Sequence, residues 1–82
     1  MNILQKEITF THDISGRQAA NFVHAVTAKP YSIWFIKDDR KINAKSILGI
    51  LSANIKRNDT VVIEINADDY EEFRFIESII NQ

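Results

Sequence analysis

The run Thr60-Val61-Val62-Ile63-Glu64-Ile65-Asn66 constrains the fold of this chain more than any other. It is dominated by β-branched residues. Val61, Ile63 and Ile65 share one side while Val62 and Glu64 share the other, which is the period of a strand. A strand with one wholly apolar side and one mixed side needs cover on one face only. The rest of the chain has to supply its neighbours and that cover.

Taken in order, the other segments do so. Leu4 to Thr11 alternates, with Leu4, Ile8 and Phe10 on one face and Gln5, Glu7, Thr9 and Thr11 on the other; Lys6 falls on the apolar face, which suits an edge strand. After the polar run His12–Arg17, Ala19, Phe22, Val23 and Val26 recur at helical spacing. This predicts an amphipathic helix over 18–28, with Ser15 or Gly16 near its N-cap and Pro30 beyond its end. Ile33, Phe35 and Ile42 mark the inward positions of a hairpin, 32–37 with 40–44, turning at Asp38-Asp39 and leaving Trp34 and Ile36 on the opposite face. Asn54 and Asn58 stand where left-handed residues close helices and turns. Asp69-Tyr70-Glu71-Glu72 has the form of a capping box with Asp as the cap, ahead of a final helix carrying Phe73, Ile76 and Ile80. The order is β-α-β-β-α-β-α. It predicts an α+β open-faced sandwich: a four-stranded antiparallel sheet with three helices on one face.

Composition narrows the function classes. At 82 residues the chain reads as a single domain, 1–82, with 45% hydrophobic and 26% charged residues. A net charge of −1 argues against direct nucleic-acid or membrane-surface binding. With no cysteine there is no disulfide or thiolate metal site, and two isolated histidines lack metal-ligand spacing. No metal or cofactor is expected. No apolar run reaches the length of a membrane span and no signal-peptide pattern opens the sequence, so a cytoplasmic location is the expectation. Asp13, Ser15 and His24 do not make a nucleophilic triad, since no nucleophile elbow or oxyanion loop accompanies them.

The segment Asn43-Ala44-Lys45-Ser46-Ile47-Leu48-Gly49-Ile50-Leu51-Ser52 is unusual. Ser46 stands where a helix should start, and Ser is among the best N-caps. Ile47, Leu48, Ile50 and Leu51 then point around most of the helix circumference, whereas a two-layer domain buries one side of a helix. Ile50 is the expected buried member, and the others are expected to form an exposed apolar patch of the kind that meets a partner.

This segment resembles the regulatory-serine segment of the HPr family, the phosphocarriers of the bacterial sugar phosphotransferase system, and the length and order of elements are similar throughout. HPr carries phosphate on a histidine in the motif Gly-(Ile/Leu)-His-Ala-Arg-Pro-Ala. The matching run here is Asp13-Ile14-Ser15-Gly16-Arg17-Gln18-Ala19. Ile14, Arg17 and Ala19 agree, but Ser15 stands at the histidine position, Asp13 at the Gly and Gln18 at the Pro. The closest character is therefore that of Crh-like members, which lack the phosphocarrier histidine. The resemblance implies an HPr-like fold and a non-catalytic regulatory role in carbon catabolite repression. It implies phosphorylation of Ser46 by HPr kinase/phosphorylase, and docking to a LacI-type catabolite control repressor through Arg17, Lys45, Ile47, Leu48 and Leu51. His12 reads as a surface residue and His24 as a surface or interface residue on the first helix. Two other readings stay open: a working phosphocarrier, which the missing histidine opposes, and a diverged HPr-like binding domain in which Ser46 is only a cap. Monomer and strand-exchanged dimer are both compatible with an edge strand.

Overall fold

A computed structural model describes residues 2–81. Its elements follow the order β1 (Leu4–Thr9), α1 (Gly16–Thr27), β2 (Ile33–Lys37), β3 (Arg40–Asn43), α2 (Ile47–Ala53), β4 (Thr60–Ile65) and α3 (Glu72–Ile80). The strands form one antiparallel sheet in the order β1-β4-β2-β3, with the three helices on one face. No helix among the described residues is long and apolar enough to cross a membrane.

The strand 60–65 is a centre of this sheet. It pairs Ile63 with Lys6 of β1 on one side and with Phe35 of β2 on the other. Val61, Ile63 and Ile65 lose all contact with solvent, as do Ala19 and Val26 of α1, Ile50 of α2 and Ile76 of α3. Phe35 lies at the heart of this layer, edge-on to Phe10 at 5.7 Å between ring centroids and tilted against Phe22 at 5.3 Å. The described core contains no buried polar or charged residue.

Local chemistry explains the turns. Asp38 and Asp39 have φ of 50° and 65°, so the hairpin closes with positive φ at both central residues, as a type I′ turn requires. Asn54 (φ 51°) ends α2 and Asn58 (φ 75°) turns the chain into β4, both left-handed as their residue type favours. β1 is an edge strand, and its inward Lys6 reaches past the core to pair with Glu77 of α3.

Several boundaries fall one residue inside the sequence reading, and three differences are larger. β1 ends at Thr9, two residues early: Phe10 remains buried, but its N–H donates to Asp59 O (2.9 Å) and its carbonyl accepts from Asn58 N (2.8 Å), a loop contact outside the ladder. α1 starts two residues early, at Gly16. The capping box at 69–72 does not form. The Asp69 carboxylate accepts from Glu71 N (2.9 Å) in a turn ahead of the helix, and Glu71 is the N-cap without a side-chain capping bond. The Glu72 carboxylate is drawn away by Tyr31 Oη (2.7 Å) and Lys29 Nζ (3.1 Å).

On the open face, Glu64 accepts from Gln5 Nε2 (2.9 Å) and pairs with Lys41 (3.0 Å), whose ammonium lies over the Trp34 ring at 5.0 Å. Glu64 is held below the usual carboxylate range by Gln5 and then Lys41, and Glu72 by Tyr31 and then Lys29. Because the folded values lie below the unfolded ones, these carboxylates stabilise the fold fully above the unfolded range near pH 4.3. That contribution disappears as pH falls through the folded values. Resistance to urea should therefore fall as the pH drops below about 4. The double variant Glu64→Gln/Glu72→Gln should show a shallower decline, measured from unfolding midpoints across pH; parallel curves for variant and wild type would refute this assignment.

Candidate functional site

Two helix starts carry the candidate residues. The first is that of α1. Ile14 is buried and donates its N–H to Ile55 O (2.9 Å), pinning the chain just before the helix. Ser15 has extended dihedrals (φ −148°, ψ 158°) and occupies the N-cap, but its hydroxyl makes no capping bond. Gly16 follows with φ +46° and open space where a Cβ would stand, so the penalty for another residue there lies in the backbone alone. A shallow hollow around Ser15 is lined by Thr11, His12, Asp13, Gln18 and Arg57. The Asp13 carboxylate is already engaged, accepting from Arg57 N (2.8 Å). Arg17 faces a second hollow on the α3 side, together with His12, Asn21 and Ile80.

The second is that of α2. Asn43 organises its approach: its side-chain oxygen accepts from Lys45 N (2.9 Å) and its carbonyl from Ser46 N (3.1 Å). Ser46 Oγ then accepts from Gly49 N (3.1 Å), the expected cap. Gly49 has its own reason. A Cβ there would lie 3.3 Å from both Asn43 O and Ile42 Cγ2, so glycine allows α2 to settle against β3. Ile50 and Ala53 are buried beneath the helix, while Ile47, Leu48 and Leu51 remain 37%, 76% and 43% exposed. Ile50 is thus the core member of the quartet, and the other three form a surface patch.

α1 and α2 meet along an apolar groove lined by Ala20, Val23, His24, Thr27, Ala28 and Ile47. The structure therefore brings His24 to Ile47 at the edge of the patch, whereas Arg17 lies toward α3. At the far end of α2, Lys37 donates to the carbonyls of Ala53 (3.1 Å) and Asn54 (3.0 Å) and pairs with Asp59 (3.0 Å). Asp59 is held below the usual carboxylate range by the Lys56 N–H and then by Lys37. Two participants escaped the sequence reading, Arg57 beside Ser15 and Lys37 behind α2. Both arrive from distant parts of the chain, with no local pattern to announce them.

The family model for the PTS HPr component phosphorylation site matches residues 5–81. The chain belongs to the HPr family. Among relatives of this HPr-family chain, the HPr-like protein Crh of Halalkalibacterium halodurans is 32% identical over 68 residues, covering 83% of this chain and 81% of that protein. The phosphocarrier HPr of Bacillus anthracis superposes with a TM-score of 0.86 at 28% identity, over 96% of this chain and 98% of that one. Crh of Bacillus subtilis, a catabolite repression protein described as a domain-swapped, intertwined dimer, shares the fold with a TM-score of 0.73 at 24% identity, over 89% and 85% of the two chains. The expected fold and the Crh-like character both hold.

The exposures give a direct stability test of which apolar residues belong to the core. Ile50→Ala should destabilise the protein by about 2–5 kcal/mol, and Leu48→Ala by less than about 0.5 kcal/mol. Ser46→Ala should cost about 0.5–2 kcal/mol through the lost cap. Urea unfolding checks all three, and comparable losses for Ile50→Ala and Leu48→Ala would contradict the assignment of patch and core.

Proposed function

We propose that this chain is a regulatory HPr/Crh-like protein of carbon catabolite repression. HPr kinase/phosphorylase modifies Ser46 in the cytoplasm, and the modified protein docks to a LacI-type catabolite control repressor. The observation that carries this reading is the exposed trio Ile47, Leu48 and Leu51, beside a serine whose backbone position is fixed by Asn43. A phosphate on Ser46 adds about −1.5 to −2 charges next to that patch. The partner reads it as a charged anchor, with the apolar trio filling a groove alongside.

Phosphate relay is not part of this function. Ser15 stands where the family motif has its histidine, and a phosphoserine ester is too stable to be passed onward as phosphohistidine is. The chain acts as a phosphoacceptor and binding module, without metal or cofactor. Edge strand β1, together with the domain-swapped dimer described for Bacillus subtilis Crh, supports a strand-exchanged dimer as an alternative to the monomer.

Two parallel incubations test the proposal. ATP with HPr kinase/phosphorylase should label Ser46 alone, and Ser46→Ala should abolish the label by mass spectrometry. Phosphoenolpyruvate with Enzyme I should leave the protein unlabelled; acid-labile phosphate on His12 or His24 would restore the phosphocarrier reading. Titrated against a catabolite control repressor from the same organism, phosphorylated protein should bind more tightly than unmodified protein. Leu48→Ala or Leu51→Ala should weaken that binding by about 1–2 kcal/mol with little salt dependence, and Arg17→Ala should weaken it in a strongly salt-dependent way. Equal affinity of the two forms would overturn the switch.

A further inference from the structure

Lys45, the residue immediately before Ser46, sends its ammonium to the carbonyl oxygen of Lys29 at 2.7 Å. That contact joins the approach to α2 to the connection between α1 and β2. The same connection is clamped from the other side. Lys29 Nζ pairs with Glu72 of α3 (3.1 Å) and lies over the Phe75 ring (4.4 Å), while Tyr31 donates to the same Glu72 oxygen (2.7 Å). Segment 28–32 is thus held by α3, by Asn66 N on Ser32 O (3.2 Å) at its β2 end and, at Lys29 O, by the ammonium beside Ser46.

We propose that Lys45 is a phosphate-sensitive latch on this connection. The inference rests on the reading of Ser46 as a phosphorylation site and adds how the modification reshapes the surface around it. In the unmodified protein the ammonium bonds to a neutral carbonyl. A phosphate on the next residue offers an acceptor carrying about −1.5 to −2 charges, which adds the direct attraction of opposite charges to a hydrogen bond that the ammonium already makes to a neutral oxygen. The backbone of Lys45 and Ser46 is fixed by Asn43, so the Lys45 side chain can swing toward the phosphate without disturbing α2. Lys29 O then loses its partner. Lys29 keeps its side chain on Glu72, so the release is confined to the α1 end of the connection. Thr27 and Ala28, which line the groove beside Ile47, lie at that end. Phosphorylation therefore both charges the docking surface and loosens one wall of its apolar groove.

The test uses the full chain with phosphoserine genetically encoded at 46, so no kinase is involved. Two signals are read by NMR: the Lys45 ammonium resonance and amide hydrogen exchange at Lys29, whose N–H donates to Val26 O (3.1 Å), with Ile63 as a core reference. The phosphate should shift the ammonium resonance and speed exchange at Lys29 by about threefold or more, leaving Ile63 unchanged. In Lys45→Met, both forms should exchange at the same fast rate. An unmoved Lys45 ammonium resonance would overturn the latch on wild-type protein alone, whether or not the variant folds. So would a phosphate effect of equal size in Lys45→Met. Failure of the kinase to act on Ser46 counts against the proposed function and leaves the latch standing; a phosphate-insensitive Lys45 does the reverse.

Discussion

One covered sheet face has to accommodate the apolar side chains of three helices, and most of the structure follows from how that area is shared. β4 and β2 provide the floor, with Val61, Ile63, Ile65, Ile33 and Phe35 essentially sealed from water. α1 places Ala19, Phe22 and Val26 on it, and α3 places Phe73, Ile76 and Ile80. What remains for α2 is room for Ile50 and Ala53. A seven-residue helix is about 10 Å long, too short to be stable on intrinsic propensity. Its position is therefore fixed by one buried isoleucine and by polar anchors at its ends: the Ser46 cap, the Asn43 turn and the Lys37 ammonium on its last carbonyls. Ile47, Leu48 and Leu51 are exposed because the floor beneath α2 is already filled.

The two serines at helix starts show how the same residue in the same position comes to differ. Ser46 Oγ is committed to Gly49 N, so its hydroxyl already supports the backbone. A phosphate there keeps an oxygen acceptor at the cap and adds charge, which leaves the helix start intact. Ser15 Oγ supports nothing in its own helix. It stands at a backbone shaped by Gly16, in a hollow where the Asp13 carboxylate is held by Arg57 N. The first start lacks the imidazole that makes phosphate transferable. The second keeps both the hydroxyl and the apolar surroundings. The proposed loss of relay and retention of regulation thus both rest on where reactive and adhesive groups lie.

Much of this was legible in the sequence because it rests on local rules. Alternation in 60–65 and in the hairpin, helical spacing of Phe22 and Val26 or of Phe73 and Ile76, and the tolerance of Asp38, Asp39, Asn54 and Asn58 for positive φ are all properties of a few neighbouring residues. The cap at Ser46 and the burial of Ile50 belong to the same class. The reading failed where a distant group outbid the local one. Asp69 and Glu72 have capping-box spacing, yet Tyr31 lies 41 residues from Glu72 and offers its carboxylate a better partner. Arg57 reaches Asp13 across 44 residues, and Lys37 and Lys45 each find a carbonyl 16 residues away. Such contacts exist only once the sheet has brought the segments together, and long lysine side chains in particular give no hint in sequence of which carbonyl they will meet.

The proportions of the patch explain why a charge is needed beside it. Fully burying a leucine or isoleucine side chain gains about 1.5–3 kcal/mol, and Ile47 and Leu51 are already partly covered, so the trio supplies only a few kcal/mol on docking. Association costs about 4–15 kcal/mol in lost translational and rotational freedom. In the proposed docking, the apolar contact alone is therefore too weak to hold the unmodified protein on its partner. A phosphate bound by a basic pocket adds charge-assisted hydrogen bonds. Those have to bridge the gap, and they do so only in the modified form. A larger apolar patch would bind whether or not Ser46 were modified, and a smaller one would leave even the phosphorylated protein unbound. Three exposed side chains on a helix of two turns lie between these limits, which is what the proposed switch on the neighbouring Ser46 requires.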